Sequence, residues 1–258
     1  MTAQAILGGQ PGRKFSAPVW RLRWLFGAVL AAALTLLPML SVLWLALFPS
    51  ENIWPDLAAT VLPRYVRNTA LLLFGVGAGT LLLGTASAWL VTMCEFPLRR
   101  VFAWALLLPL AMPAYVSAYV FTDLLDYSGP VQANLRAAFG FSGPRDYWFP
   151  EIRSLPGAIA VMSLALYPYV YMLARAAFLE QSVCALEASR VLGRGAWRSF
   201  STVALPLARP ALTAGVALAL MEALNGFGTV DYFAVQTLTS VIFHVWRQMG
   251  NLGGAAQI

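Results

Sequence analysis

The residues of this chain that could do chemistry fall into two groups. The first is a set of oxygen and amide donors near the ends of apolar runs: Asp123, Asp126, Tyr127, Glu222, Asn225 and Asp231. Ionisable side chains at membrane segments are expensive to keep and mark solute pathways by default. The second is the polar stretch 180–210, EQSVCALEASRVLGRGAWRSFSTVALPLARP, which carries Arg190, Arg194, Arg198 and Arg209 beside Glu180 and Glu187. It interrupts an oily second half, and a loop between two membrane spans folds in water, where its charges can meet another protein. No nucleophile–base pair is present, and no phosphate-cradling G-x-x-x-x-G-K-[ST]. His244 stands alone, and Cys94 and Cys184 lack metal-ligand spacing. Both cysteines fall on the expected cytoplasmic side, which argues against a disulfide.

The elements that must position these groups follow from composition. Hydrophobic residues make up 60% of the chain and charged residues 11%, which fits an integral membrane protein built as an all-α, polytopic helical bundle. The net charge of +6 does not imply nucleic acid. The arginines flank the apolar runs, where anionic lipid and the membrane potential favour them. Five spans are expected, over residues 24–48, 68–94, 101–125, 154–178 and 208–230. The first is too long for a signal peptide and lacks a convincing cleavage site; as a helix it reaches about 37 Å. Gly75 and Gly79 give the second a spacing that lets helices approach closely. Pro109 and Pro113 break the third, and broken helices often line transport pathways. Glu222, Asn225, Gly226 and Gly228 interrupt the fifth.

Between the spans, residues 49–67 read as a polar loop with three prolines. Residues 131–139 read as a short surface helix, followed by Tyr147, Trp148 and Phe149 as interfacial anchors. Within the polar stretch the pattern predicts a helix over 182–192, a turn at Gly193 and Gly195, a second short helix over 196–204, and a stop at Pro206. Residues 231–258 read as an external amphipathic or re-entrant helix, with the chain ending where a sixth span would begin. With the N-terminus inside, eleven of the seventeen Lys and Arg residues lie on the cytoplasmic side and six outside.

Glu187-Ala188-Ser189, Gly193, Val203, Leu205 and Pro206 resemble the EAA loop of ATP-binding-cassette importer permeases, E-A-A, three residues, G, nine residues, I, any residue, L-P. Ser189 stands for the second Ala and Val203 for Ile. The resemblance implies the type I importer (MetI-like) fold. It implies docking of the loop on a cytoplasmic ATPase dimer, with Arg190 and Arg194 as polar contacts. A periplasmic substrate-binding protein and a second permease half, fused or separate, are further implied partners. The chain itself is then no enzyme and binds no cofactor, and ATP is used by the partner subunit. The strings 112–140 and 224–251 resemble ferric-iron importer permeases, first half. This reading implies passing contacts between ferric ion and the hard oxygens of the first group; thiamine, polyamine and sulfate permeases share similar patches.

The expected organisation is a cytoplasmic tail over 1–23, a first span and external loop over 24–60, and the permease domain over 61–258, ending before its last span. The expected location is the cell inner membrane, multi-pass, with the N-terminus cytoplasmic. Rival classes are an ion-coupled secondary carrier, which would need acids buried mid-span, where the first four spans carry none, and a membrane scaffold. Neither explains the spacing from Glu187 to Pro206.

Overall fold

The computed structural model describes residues 19–49, 53–143, 145–181, 191, 193 and 195–258, and these are helical wherever they are regular. The order is α1 Val19–Leu47, α2 Trp54–Thr60, α3 Leu62–Met93, α4 Arg99–Ala105, a 3₁₀ turn Leu108–Ala111, α5 Ala114–Leu125, α6 Pro130–Phe139 and α7 Leu155–Glu180. After the polar stretch come α8 Ala196–Ser199, a π turn Phe200–Ala204, α9 Leu205–Asn225, α10 Phe227–Tyr232, α11 Leu238–Arg247 and α12 Leu252–Gln257. Four helical stretches among the described residues are long and apolar enough to cross a membrane: Trp24–Leu47, Leu62–Met93, Leu155–Glu180 and Trp197–Asn225. The pair Arg99–Ala111 and Ala114–Phe139, bent by 98°, makes a fifth if taken as one span.

The core is α7 sandwiched between α3 and α9. Lipid tails are as apolar as leucine, so helices associate in a bilayer by close packing of small residues. Gly75 faces Ile159 and Gly79 faces Ser163. Gly84 lies so near α7 that a Cβ would stand 2.9 Å from both the Tyr167 carbonyl oxygen and the Tyr171 nitrogen. From the other side, a Cβ on Gly215 would stand 2.8 Å from Val170 Cα. Val170, fully buried, is thus the point where all three helices cross.

The break in the third span has a specific partner. At the end of α4 the bonding shortens: Leu107 N–H donates to Trp104 O and Leu110 N–H to Leu107 O. Ala103 O and Leu106 O thereby lose the donors a continuous helix would supply. Tyr171 O–H donates to Ala103 O at 3.0 Å and Tyr167 O–H to Leu106 O at 2.9 Å. Neighbouring side chains commonly re-satisfy carbonyls freed by proline in membrane helices.

Several expectations need correction. The second span begins at Leu62, with Pro63 in its first turn, where the absent N–H costs nothing. The loop expected over 49–67 contains helix α2, with Pro55 in its own first turn. The break expected in the third span is present, and it bends the chain by 98° rather than merely kinking one crossing helix. Glu222 does not interrupt the fifth helix, which runs on to Asn225; the expected break comes at Gly226, before α10. Pro206 does not stop the second loop helix. A π turn closed by Leu205 N–H to Phe200 O carries the chain past it, and Pro206 falls in the first turn of α9. Pro210 is also taken up inside α9. Tyr147 is no free anchor, since its hydroxyl is tied into the surface helix, whereas Trp148 is 86% exposed.

Candidate functional site

The polar stretch joins α7 to α9, and its two ends are tied together. Gln181, just past α7, donates from Nε2 to Ala204 O at 2.9 Å. Below this clasp lies an aromatic cluster from three elements. Trp89 of α3 meets Phe200 of the π turn at 4.6 Å between ring centroids and Phe178 of α7 at 5.5 Å. Edge-on and tilted pairs of this kind fix geometry as well as burying area.

The signature divides into two parts. Val203, Leu205 and Pro206 are half-buried, and Leu205 packs on the core around Tyr171, Phe178 and Ala208. Gly193 is exposed, has open space where a Cβ would go and sits at φ +78°, the left-handed region that glycine adopts freely. The expected turn is therefore present at Gly193. Apolar side chains stand out beside it, with Val191 88% and Trp197 82% exposed. Glu187, Ala188, Ser189, Arg190 and Arg194 lie outside the described residues, as does most of the helix expected over 182–192.

At the far end of the bundle the six pathway residues are not brought to one place. Asp126 and Tyr127 line a cavity of about 330 Å³ together with Gln132, Tyr147, Glu151 and Arg153. Buried Gln132 donates to Leu125 O and accepts from Tyr147 O–H at 2.6 Å. Arg136 donates to Tyr127 O and to the Tyr147 hydroxyl, and its guanidinium lies 4.1 Å from the Tyr127 ring centroid. Asp126 turns back to accept from the Tyr127 N–H. Asp123, Glu222, Asn225 and Asp231 are exposed elsewhere, on α5, α9 and α10. Among the described residues no three of His, Cys, Asp and Glu converge as a metal site would require.

Sequence reasoning missed Gln181, Trp89, Phe178, Phe200, Gln132 and Glu151. Gln181 carried a signal, being polar beside Glu180 where an apolar run ends. The aromatics carried none, because aromatic residues are common in every span here. Asn68 and Thr69 pin the start of α11 and the segment before it: Asn68 donates to Gln236 O and Thr69 Oγ1 accepts from Leu238 N–H, both at 3.0 Å.

The sequence profile of the binding-protein-dependent transport system inner membrane component matches residues 80–245, well over half the chain, from mid-α3 through the polar stretch to α11. The chain belongs to this family. It is an ABC importer permease subunit and a multi-pass inner-membrane protein. The molybdenum transport system permease protein ModB of Escherichia coli K12 is 28% identical over 210 residues, covering 79% of this chain and 86% of its own. The sulfate transport system permease protein CysW of Escherichia coli K12 is 29% identical over 213 residues, covering 80% and 68%. The Fe(3+)-transport system permease protein FbpB 2 of Haemophilus influenzae is 28% identical over 191 residues, covering 74% of this chain and 33% of its own. A bacterial ABC transporter that imports the acidic polysaccharide alginate shares the fold, with a TM-score of 0.72 at 17% identity over 92% of this chain and 89% of that one. A bacterial alginate ABC transporter in complex with an alginate pentasaccharide-bound periplasmic protein gives 0.71 at 15% identity, over 95% and 90%.

Proposed function

We propose that this permease subunit docks a separate cytoplasmic ATPase dimer through residues 180–210 and passes substrate from a periplasmic binding protein into the cytoplasm. In this reading the N-terminus is cytoplasmic, a second permease half, fused or separate, completes the pathway, and ATP is bound and hydrolysed by the partner alone. The observation that carries it is mechanical. The helical stretch Trp197–Asn225 runs without a break from the polar stretch to the opposite end of the bundle. The clasp from Gln181 to Ala204 ties the same stretch to α7. A force applied near Gly193 therefore reaches the core as movement of whole helices, which suits alternating access by rigid-body rocking. The exposed Val191 and Trp197 are apolar surface for a partner to cover.

The proposed cargo is ferric iron, supported by the strings 112–140 and 224–251 and by the iron-permease relative. A second reading, a tetrahedral oxyanion, is favoured by the relatives named for molybdenum and sulfate, which match over a larger share of both chains. The test reconstitutes the full permease with its ATPase in proteoliposomes and adds purified binding proteins loaded with ferric ion, molybdate or sulfate. ATPase stimulation by the iron-loaded protein alone supports iron. Stimulation by an oxyanion-loaded protein keeps the importer and discards iron. A permease that captures no ATPase contradicts the docking role of residues 180–210.

A further inference from the structure

A second polar feature lies at the same end of the bundle as the polar stretch and plays no part in the coupling argument. Arg99 and Arg100 at the start of α4 and Arg175, five residues before the end of α7, line one cavity of about 340 Å³. Val91, Thr92, Ala103 and Leu179 complete its wall. Arg99 donates from Nε to Val91 O and from Nη2 to Thr92 O, capping the carbonyl end of α3. Arg175 Nε is buried and has no hydrogen-bond partner. None of the three guanidiniums forms an ion pair among the described residues.

Arginine does not escape such crowding by losing its proton. Three fixed positive charges in a partly buried recess repel one another and need a counter-ion. The recess is also built in advance. Tyr171 O–H holds Ala103 on one wall, Arg99 holds the end of α3 on another, and Leu98, at φ +64°, turns the chain sharply into α4. Forked guanidinium donors match phosphate oxygens, and basic recesses between membrane helices hold lipid headgroups. The exposed, apolar Leu179 flanks the charges, as an acyl chain beside a headgroup would require.

We propose that this cavity binds a phosphate oxyanion, supplied by the headgroup of an anionic phospholipid, with Arg100 and Arg175 as the main contacts. The site does not depend on the cargo or on ATPase docking. The experiment uses the full chain in nanodiscs of phosphatidylcholine, titrated with phosphatidylglycerol or, separately, with inorganic phosphate, and reads bound lipid by native mass spectrometry and thermal stability. Arg100→Gln is the primary variant, because Arg100 is exposed and its loss leaves packing intact; Arg175→Gln is the second. The expected result is retention of phosphatidylglycerol, about tenfold weaker in Arg100→Gln, as loss of a charge-assisted hydrogen bond predicts. Equal stabilisation by inorganic phosphate in phosphatidylcholine, also weakened by Arg100→Gln, supports the oxyanion site and overturns its lipid source. Binding that neither variant changes, or no binding of either probe, overturns the proposal.

Discussion

Helices α1 and α7 invert the ordinary relation between apolarity and burial. The most apolar window of α1 has a mean hydropathy of 2.2 and none of it is buried in the chain, whereas that of α7 has 1.6 and is 61% buried. In water the oilier helix would be the core. In a bilayer the hydrophobic effect places helices in the membrane but gives them no reason to meet. Contact goes instead to α7, whose neighbours offer Gly84 and Gly215, and whose tyrosines meet the carbonyls freed by the break after α4. Helix α1 touches α12 at its far end, where Gln257 Nε2 donates to Ala46 O.

Adding bulk at the triple crossing should break this contrast most. Gly84→Val forces a side chain into the backbone of α7 and is expected to cost about 3 kcal/mol, at the upper end of overpacking, read as a lower midpoint in sodium dodecyl sulfate unfolding. Gly215→Ala presses on the same Val170, so the double variant should fall short of additivity. Tyr171→Phe leaves the Ala103 carbonyl unpaired and should cost about 1–3 kcal/mol, with Ala103 and its neighbours gaining hydrogen exchange. Gly193→Ala meets no neighbour and pays only for its left-handed backbone, about 1 kcal/mol; circular dichroism should show an intact bundle. Leu34→Ala and Leu37→Ala on lipid-facing α1 should shift the unfolding midpoint by less than about 0.5 kcal/mol. A large loss there would mean that α1 packs on the core.

The sequence made the architecture legible because membrane spans announce themselves by length. The polar stretch announces itself by Glu187, Gly193 and Pro206 at fixed offsets. Helix ends were less legible. Pro63 and Pro206 read as breakers, yet Pro63 sits in a first turn, where its missing N–H has no intrahelical acceptor to lose, and Pro206 is carried within a continuous helical stretch by the π turn before it. The 98° bend was visible in Pro109 and Pro113 as a break, but the hydroxyls of Tyr167 and Tyr171 that meet the carbonyls at the end of α4 come from a distant helix and carried no local signal. The oxygens of the first group were gathered by their closeness to span ends. Only Asp126 and Tyr127 share a cavity, because Asp123 lies a turn earlier on α5 and Glu222, Asn225 and Asp231 belong to α9 and α10.

The coupling role of residues 180–210 is tested most directly by affinity purification of the full permease from membranes, wild type beside Gly193→Asp, with the bound ATPase quantified. Gly193 is exposed and uncrowded, so the substitution adds a charge to the turn without disturbing the bundle. The account predicts a stoichiometric ATPase partner with the wild type and its loss from a variant that still elutes as folded protein. A variant that retains the ATPase and transports normally would contradict it.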